Sequence, residues 1–248
     1  MINRALEDLK VTNIDHCINV FSLLSEALFL KNWQSAMLML DHLIPYCIDN
    51  SYTTFKSLKT KEINLQIYRE FKHAKRVSFY AAKLAQALTC SPSDICDIER
   101  AAFVHDIGKF IIDRRILYKE DALTDFEWMF IQKHPQFGCE LLSLSKRYCH
   151  LAPIVMQHHE RWDGNGYPRQ IKGNMILFPA RILSIVDAYD AMTCNRSYQR
   201  RMSSEAAATE IKRCAGAQFD PKIVPVFTDT VLNNVNCSLF NFKTSERN

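Results

Sequence analysis

Apolar residues in this chain recur at spacings of three and four, and only six glycines interrupt its 248 residues. Such spacing gathers apolar side chains on one face of a helix. So few glycines leave little room for the tight turns of hairpins. Phe21, Leu24 and Leu28 form one stripe, and Trp33, Met37, Leu40 and Ile44 form a second. They predict a helix pair ending near the polar, turn-rich segment IPYCIDNSYTT. No stretch alternates apolar and polar residues as a half-buried strand does. The expected fold class is all-α, with a small helical N-terminal region over residues 1–60 and the main domain over 61–248.

Within the main domain a helical pattern runs from about Lys61 to Leu88. The segment SPSDICDIERAAFVHDIGK opens with Ser93 as a candidate N-cap and stays helical to His105. Thr124 and Glu127 have capping-box spacing, and His134 is expected to end that helix before Pro135. Proline suits a first helical turn, where its missing N–H costs nothing, so Pro135, Pro153 and Pro179 mark three further starts. Ser203 or Ser204 caps another helix that Gly216 stops, and FDP at 219–221 opens the last. There is no internal repeat and no low-complexity segment.

Hydrophobic residues make up 48% and charged residues 23%, a balance that supports a packed core rather than disorder. The net charge of +4 suits an anionic small ligand. It is too slight for the clustered basic face of a protein that binds a nucleic-acid polymer. No apolar run reaches the ~18 residues of a membrane helix, and MINRALEDLK lacks the apolar core of a signal peptide. The expectation is a cytoplasmic protein that engages neither membrane nor nucleic-acid polymer. Nine cysteines, with no CxxC, fit neither a disulfide framework nor a thiolate zinc site; they read as reduced, mostly buried thiols.

Histidines and aspartates fall at telling places on these helices. His73 lies on the long helix, His105 and Asp106 at a helix end before Gly108 and Lys109, and His134 at another end. His158 and His159 are adjacent near a third end, and Asp187 follows Pro179. One apolar-flanked histidine is usually a satisfied core or capping residue. Burying five such rings with no shared purpose carries a large desolvation cost. A mixture of imidazole and carboxylate suits iron, manganese or zinc, with iron favoured over the others because no thiolate is recruited. Adjacent residues on a helix point about 100° apart, so His105 and Asp106 can reach two points of one site. A shared carboxylate is a natural bridge between two metals, and metals about 3.5–4 Å apart are a standard device for phosphoester hydrolysis.

HDIGK at 105–109, HHERWDGNGYP at 158–168 and DAYDAMT at 187–193 together resemble the HD-GYP family, bacterial HD-superfamily phosphodiesterases acting on cyclic di-GMP. The resemblance runs from about Lys61 to Phe227 and takes in HAKR at 73–76 and NRSYQR at 195–200. It implies an HD-domain helical bundle that holds a cluster of divalent metal ions on His73, His105, Asp106, His134, His158, His159 and Asp187, with Asp106 as the bridge. It also implies that Lys109 meets a substrate phosphate and steadies the attacking water, and that Arg196 binds phosphate. The loop DGNGYP is expected to overhang the cluster, with Gly164 and Gly166 free to take positive φ. Tyr167 offers its ring and hydroxyl to a cyclic dinucleotide or a partner, or else packs with Trp162 beneath the loop.

The chain also departs from that pattern. Arg69 stands where some members carry a glutamate for a third metal, and Glu70 is one residue off, expected to point elsewhere. A fixed arginine charge one turn from His73 argues for two metals only. Ile111, Asp113 and Arg114 replace the usual Gly and Pro-Asp, and Gln199 replaces a second basic residue near the phosphate, with Arg200, the candidate for that contact, and Arg201 following. Two functions stand side by side. One is a phosphodiesterase that yields linear pGpG or GMP from cyclic di-GMP, with 3′,3′-cyclic GMP-AMP as the other substrate. The other is a binding module with slow or no turnover that senses a cyclic dinucleotide or docks a protein. A homodimer or signalling partner would engage the GYP loop or the N-terminal region.

Overall fold

The computed structural model describes Leu24, Ala27, Ser35, Ala36, Met39, Leu40 and residues 65–194 and 201–234, with backbone alone at 65–68 and 231–234. Helix α1 (Leu65–Ala87) is followed by α2 (Pro92–Val104), a 3₁₀ turn (Ile107–Ile111), α3 (Arg114–Leu117), α4 (Asp125–Ile131) and α5 (His134–Ser143). After these come α6 (Ala152–Gln157), α7 (Phe178–Thr193), α8 (Ser204–Arg213) and α9 (Ile223–Asn234). The described residues contain an isolated bridge between Ala215 and Phe219 and no strand, as the all-α expectation requires. Among them no helix is long and apolar enough to cross a membrane.

Local chemistry sets the helix ends. Ser91 caps α2 by accepting the Asp94 N–H, so the cap lies two residues before the expected Ser93. Pro92 occupies the first turn, where no N–H is needed, and the cap must precede it. Thr124 and Glu127 form both halves of the capping box: the Thr124 hydroxyl accepts from Glu127 N–H at 3.2 Å and the Glu127 carboxylate from Thr124 N–H at 2.8 Å. Ser203 caps α8. His134 does not end α4. The chain leaves that helix at Ile131, and His134 opens α5 with Pro135 in the first turn.

Helix α1 packs on α2, α7 and α9, while α5 packs on α6 and the 3₁₀ turn. Phe71, Val77 and Leu84 of α1 are fully buried, as are Ala101 of α2, Ile182 and Val186 of α7, and Phe227 of α9. Leu24, Ala27, Ala36, Met39 and Leu40 belong to the same hydrophobic cluster. Gly108 lets the 3₁₀ turn touch α5 backbone to backbone. A Cβ there would collide with the His134 carbonyl oxygen and lie 2.6 Å from the Gly138 nitrogen. That contact sets the HDIGK turn directly against the start of α5.

Candidate metal centre

Helix ends bring most of the expected side chains together. His105 caps the C-terminus of α2 and Asp106 follows it; His134 opens α5; His158 caps α6 and His159 follows. His73 comes from the middle of α1 and Asp187 from α7. The His73 Nε2 lies 3.2 Å from His105 Nε2, 3.3 Å from Asp187 Oδ1 and 3.5 Å from Asp106 Oδ2. The other oxygen of Asp106, Oδ1, is 3.2 Å from His134 Nε2 and 4.0 Å from His158 Nε2, and these two nitrogens are 3.2 Å apart. The His159 ring lies 4.2 Å from that of His158 and 4.9 Å from that of His134. Two groups result, His73–His105–Asp106 and Asp106–His134–His158–His159, each with its ligand atoms within 4.8 Å of one another. Asp106 belongs to both.

The protonation pattern of this cluster fits cations. His105, His134 and His158 direct Nδ1 at the carbonyl oxygens of Ala102, Ile131 and Val155, at 2.7, 2.8 and 2.6 Å. Helix ends leave such carbonyls unpaired. A carbonyl can only accept, so each Nδ1 donates, and in neutral imidazole the Nε2 then carries a bare lone pair. The Nε2 atoms of His134 and His158 face each other and Asp106 Oδ1, a buried oxygen with no hydrogen-bond partner, while His105 Nε2 faces His73 Nε2 and Asp106 Oδ2. Acceptors held face to face repel unless a positive charge sits among them. Nitrogen and carboxylate donors without sulfur suit a divalent transition-metal ion such as iron, manganese or zinc.

The electrostatics keep several of these side chains in the form that a metal ligand needs. Burial pushes the His158 imidazole well below its usual pKa and His159 down to about 3, with neighbouring imidazoles adding to the effect; both rings are neutral near pH 7. Burial tends to raise the Asp106 pKa, but His105 and Lys109 outweigh it and hold the carboxyl well below the usual range. Burial alone would lower His73, yet its hydrogen bonds to Asp106 and Asp190 lift it to about 10. A cation entering beside His73 therefore displaces a proton. Lys109 Nζ donates to Asp106 Oδ2 at 2.6 Å. Burial favours its neutral form, but Asp106, then Glu70, outweigh that and strengthen its hold on its proton.

Sequence reasoning overlooked Asp190 and Arg76. Asp190 Oδ2 accepts from His73 Nδ1 at 2.7 Å and from Arg76 Nη2 at 2.9 Å, while Arg76 Nε donates to Oδ1. The signal was spacing: Asp190 is three residues after Asp187 and Arg76 three after His73, on matching helix faces. Glu70 also differs from expectation. It is half-buried and close enough to act on Lys109, whereas Arg69 is exposed. Positions three and four residues before His73 lie about 60° and 40° to either side of it, and the site is on the Glu70 side.

The DGNGYP loop folds back onto the ligand segment. Gly164 takes φ +87° as expected, but Gly166 is needed for closeness, since a Cβ there would lie 2.6 Å from both the His159 oxygen and the Glu160 Cα. Tyr167 N–H donates to the His159 carbonyl at 3.2 Å, and its half-buried ring lies 4.8 Å from the His159 ring. Glu160, buried below the loop, accepts from the Arg169 N–H at 2.6 Å. Trp162 and Asp163 N–H donate to the carbonyls of Gln218 and Ala217, and Trp162 lies under the Arg181 guanidinium. The expected phosphate contacts Arg196 and Arg200, like Gln199, lie outside the described residues.

Residues 58–223 match the profile of the HD domain family. The chain is 36% identical over 159 residues to 3′3′-cGAMP-specific phosphodiesterase 2 of Vibrio cholerae, a match that covers 63% of this chain and 30% of the relative. It is also 36% identical over 168 residues to a cyclic di-GMP phosphodiesterase of Thermotoga maritima, covering 66% of this chain and 46% of the relative. The chain thus spans less than half the length of these relatives. In structure it resembles an HDG"Y"P protein from Bdellovibrio bacteriovorus, with a TM-score of 0.57 and 17% identity over 94% of this chain and 76% of the other, a likeness of fold. The chain belongs to the HD domain family, as a protein of the HD-GYP type related to cyclic di-GMP and cGAMP phosphodiesterases.

Proposed function

We propose that the chain is a metal-dependent phosphodiesterase that hydrolyses a 3′,5′-cyclic dinucleotide, cyclic di-GMP first, to linear pGpG and GMP. The observation that carries this reading is Asp106, whose two oxygens face two separate histidine groups while Lys109 stands beside it. His73, His105, Asp187 and Asp106 Oδ2 would hold one iron or manganese ion, and His134, His158, His159 and Asp106 Oδ1 the other. When bound, such a pair supplies Lewis acidity, which lowers the pKa of water and neutralises charge on phosphate oxygens. Lys109 keeps its proton and offers a cation to a non-bridging phosphate oxygen. Tyr167 and Gly166 form the wall above His159, against which a guanine nucleotide would lie, and Arg196 and Arg200 would add positive charge for the phosphates. In the reaction the water oxygen joins phosphorus, the bond from phosphorus to O3′ breaks, and O3′ takes a proton.

The test is turnover by the full chain purified without oxygen and loaded with Fe(II) or Mn(II). The expected result is linear product from cyclic di-GMP, formed faster than from 3′3′-cGAMP. A preference for cGAMP would reassign the substrate within the same chemistry. Tight dinucleotide binding without product from either would make the protein a binding module and overturn the enzymatic reading.

A further inference from the structure

We propose that Asp190 is a positioning residue that, through His73, makes one of the two metal positions bind. The proposal rests on the two-metal reading above and concerns a residue placed behind the ligands rather than among them.

The four histidines with fixed Nδ1 partners divide into two kinds. His105, His134 and His158 stand at helix ends and use a free carbonyl three residues back. His73 stands in the middle of α1, where carbonyls are engaged in the helical ladder. No local acceptor is left to fix its ring, and the partner comes from 117 residues away: Asp190 of α7, at 2.7 Å from Nδ1. That bond makes Nδ1 the donor and turns Nε2 towards His105, Asp106 and Asp187. An anionic acceptor also makes the imidazole a stronger donor to metal than a carbonyl does.

Asp190 is itself held still. It is 2% exposed, and Arg76, one turn beyond His73 on α1, grips both its oxygens. One helix thus supplies the ligand and the clamp, and the facing helix supplies the carboxylate between them. Among the described residues the Asp190 carboxylate bonds to His73, Arg76 and Cys194 and not to His134, His158 or His159, so its influence should be confined to the His73 side.

The experiment titrates Mn(II) into metal-free full-length protein, read by calorimetry and by electron paramagnetic resonance, which separates an isolated Mn(II) from a coupled pair. Wild type should bind two ions per chain and show the coupled signal. In Asp190→Asn one position should keep its wild-type affinity while the other weakens about 10–100-fold, and the coupled signal should vanish at two equivalents. Because Asp190→Asn leaves Arg76 buried without its counter-charge, the double variant Arg76→Met/Asp190→Asn is titrated in parallel, with folding followed by circular dichroism. Equal weakening at both positions, unchanged affinity at both, or unfolding of both variants would make Asp190 an ordinary helix tie and overturn the proposal. Wild-type protein that binds fewer than two ions would sink the two-metal reading instead.

Discussion

At Asp106 a single carboxylate presents one oxygen to His73 and His105 and the other to His134 and His158. Replacing it with alanine removes a donor from both groups, so Asp106→Ala should fall below one metal per chain and to background hydrolysis. Elemental analysis and product chromatography check this, and wild-type values for both would exclude a shared bridge. Lys109 acts differently. Its ammonium is already fixed beside Asp106 and gains most when phosphate charge builds in the transition state. Lys109→Ala should lower kcat about 10²-fold with little change in KM, whereas an equal rise in KM would mark it as a ground-state contact. At this scale the histidines and aspartates that cluster here were legible in the sequence, because motifs name residue types at fixed positions. Asp190 and Arg76 were not, since a buried ion pair between distant helices leaves only a three-residue spacing as its trace. Glu70 was misjudged because a helix projection gives an angle and not the direction of the site.

Helix α4 shows what capping alone can hold. It has seven residues and none is buried, so its stability rests on its first turn. Thr124→Ala should cost about 1 kcal/mol locally, seen as loss of amide protection across 125–131 with the core unchanged. Glu127 adds a pH dependence. Its hydrogen bond to Lys119, followed by that to Thr124, lowers its carboxyl from 4.5 to about 2. A depressed carboxyl stabilises the folded form above its unfolded pKa and loses that effect as pH falls through the folded value. Helix α4 should therefore fray between about pH 4.5 and pH 2, as followed by backbone chemical shifts, and Glu127→Gln should flatten the response. The 3₁₀ turn makes the opposite demand, for closeness: Gly108→Ala should cost about 1–3 kcal/mol by overpacking and reduce metal content by moving Asp106 away from His134. The capping box was readable from residue types alone. Ser91, His134 and Gly166 were not, because a cap, a helix start and a close approach depend on which backbone atoms meet.

Over the whole molecule, the open question in the sequence was residues 1–60, which carry no motif. Leu24, Ala27, Ala36, Met39 and Leu40 are almost fully buried and share one hydrophobic cluster with Phe71, Leu84 and Phe227. Phe71 lies two residues before His73 and Leu84 further along the same helix, so this cluster also sets where α1 stands. The N-terminal region should therefore brace the HD domain, and removing it should expose core. Leu24→Ala, at a fully buried site, should cost about 2–5 kcal/mol. For a chain of this size that lowers Tm by roughly 5–15 °C. A chain lacking residues 1–60 should lose more, melting with little cooperativity or aggregating and retaining less metal than the intact protein. Calorimetry and elemental analysis on the two chains decide the matter. A truncated chain that melts at the full-length Tm with full metal content would make residues 1–60 an independent appendage and remove any part for them in holding His73 in place.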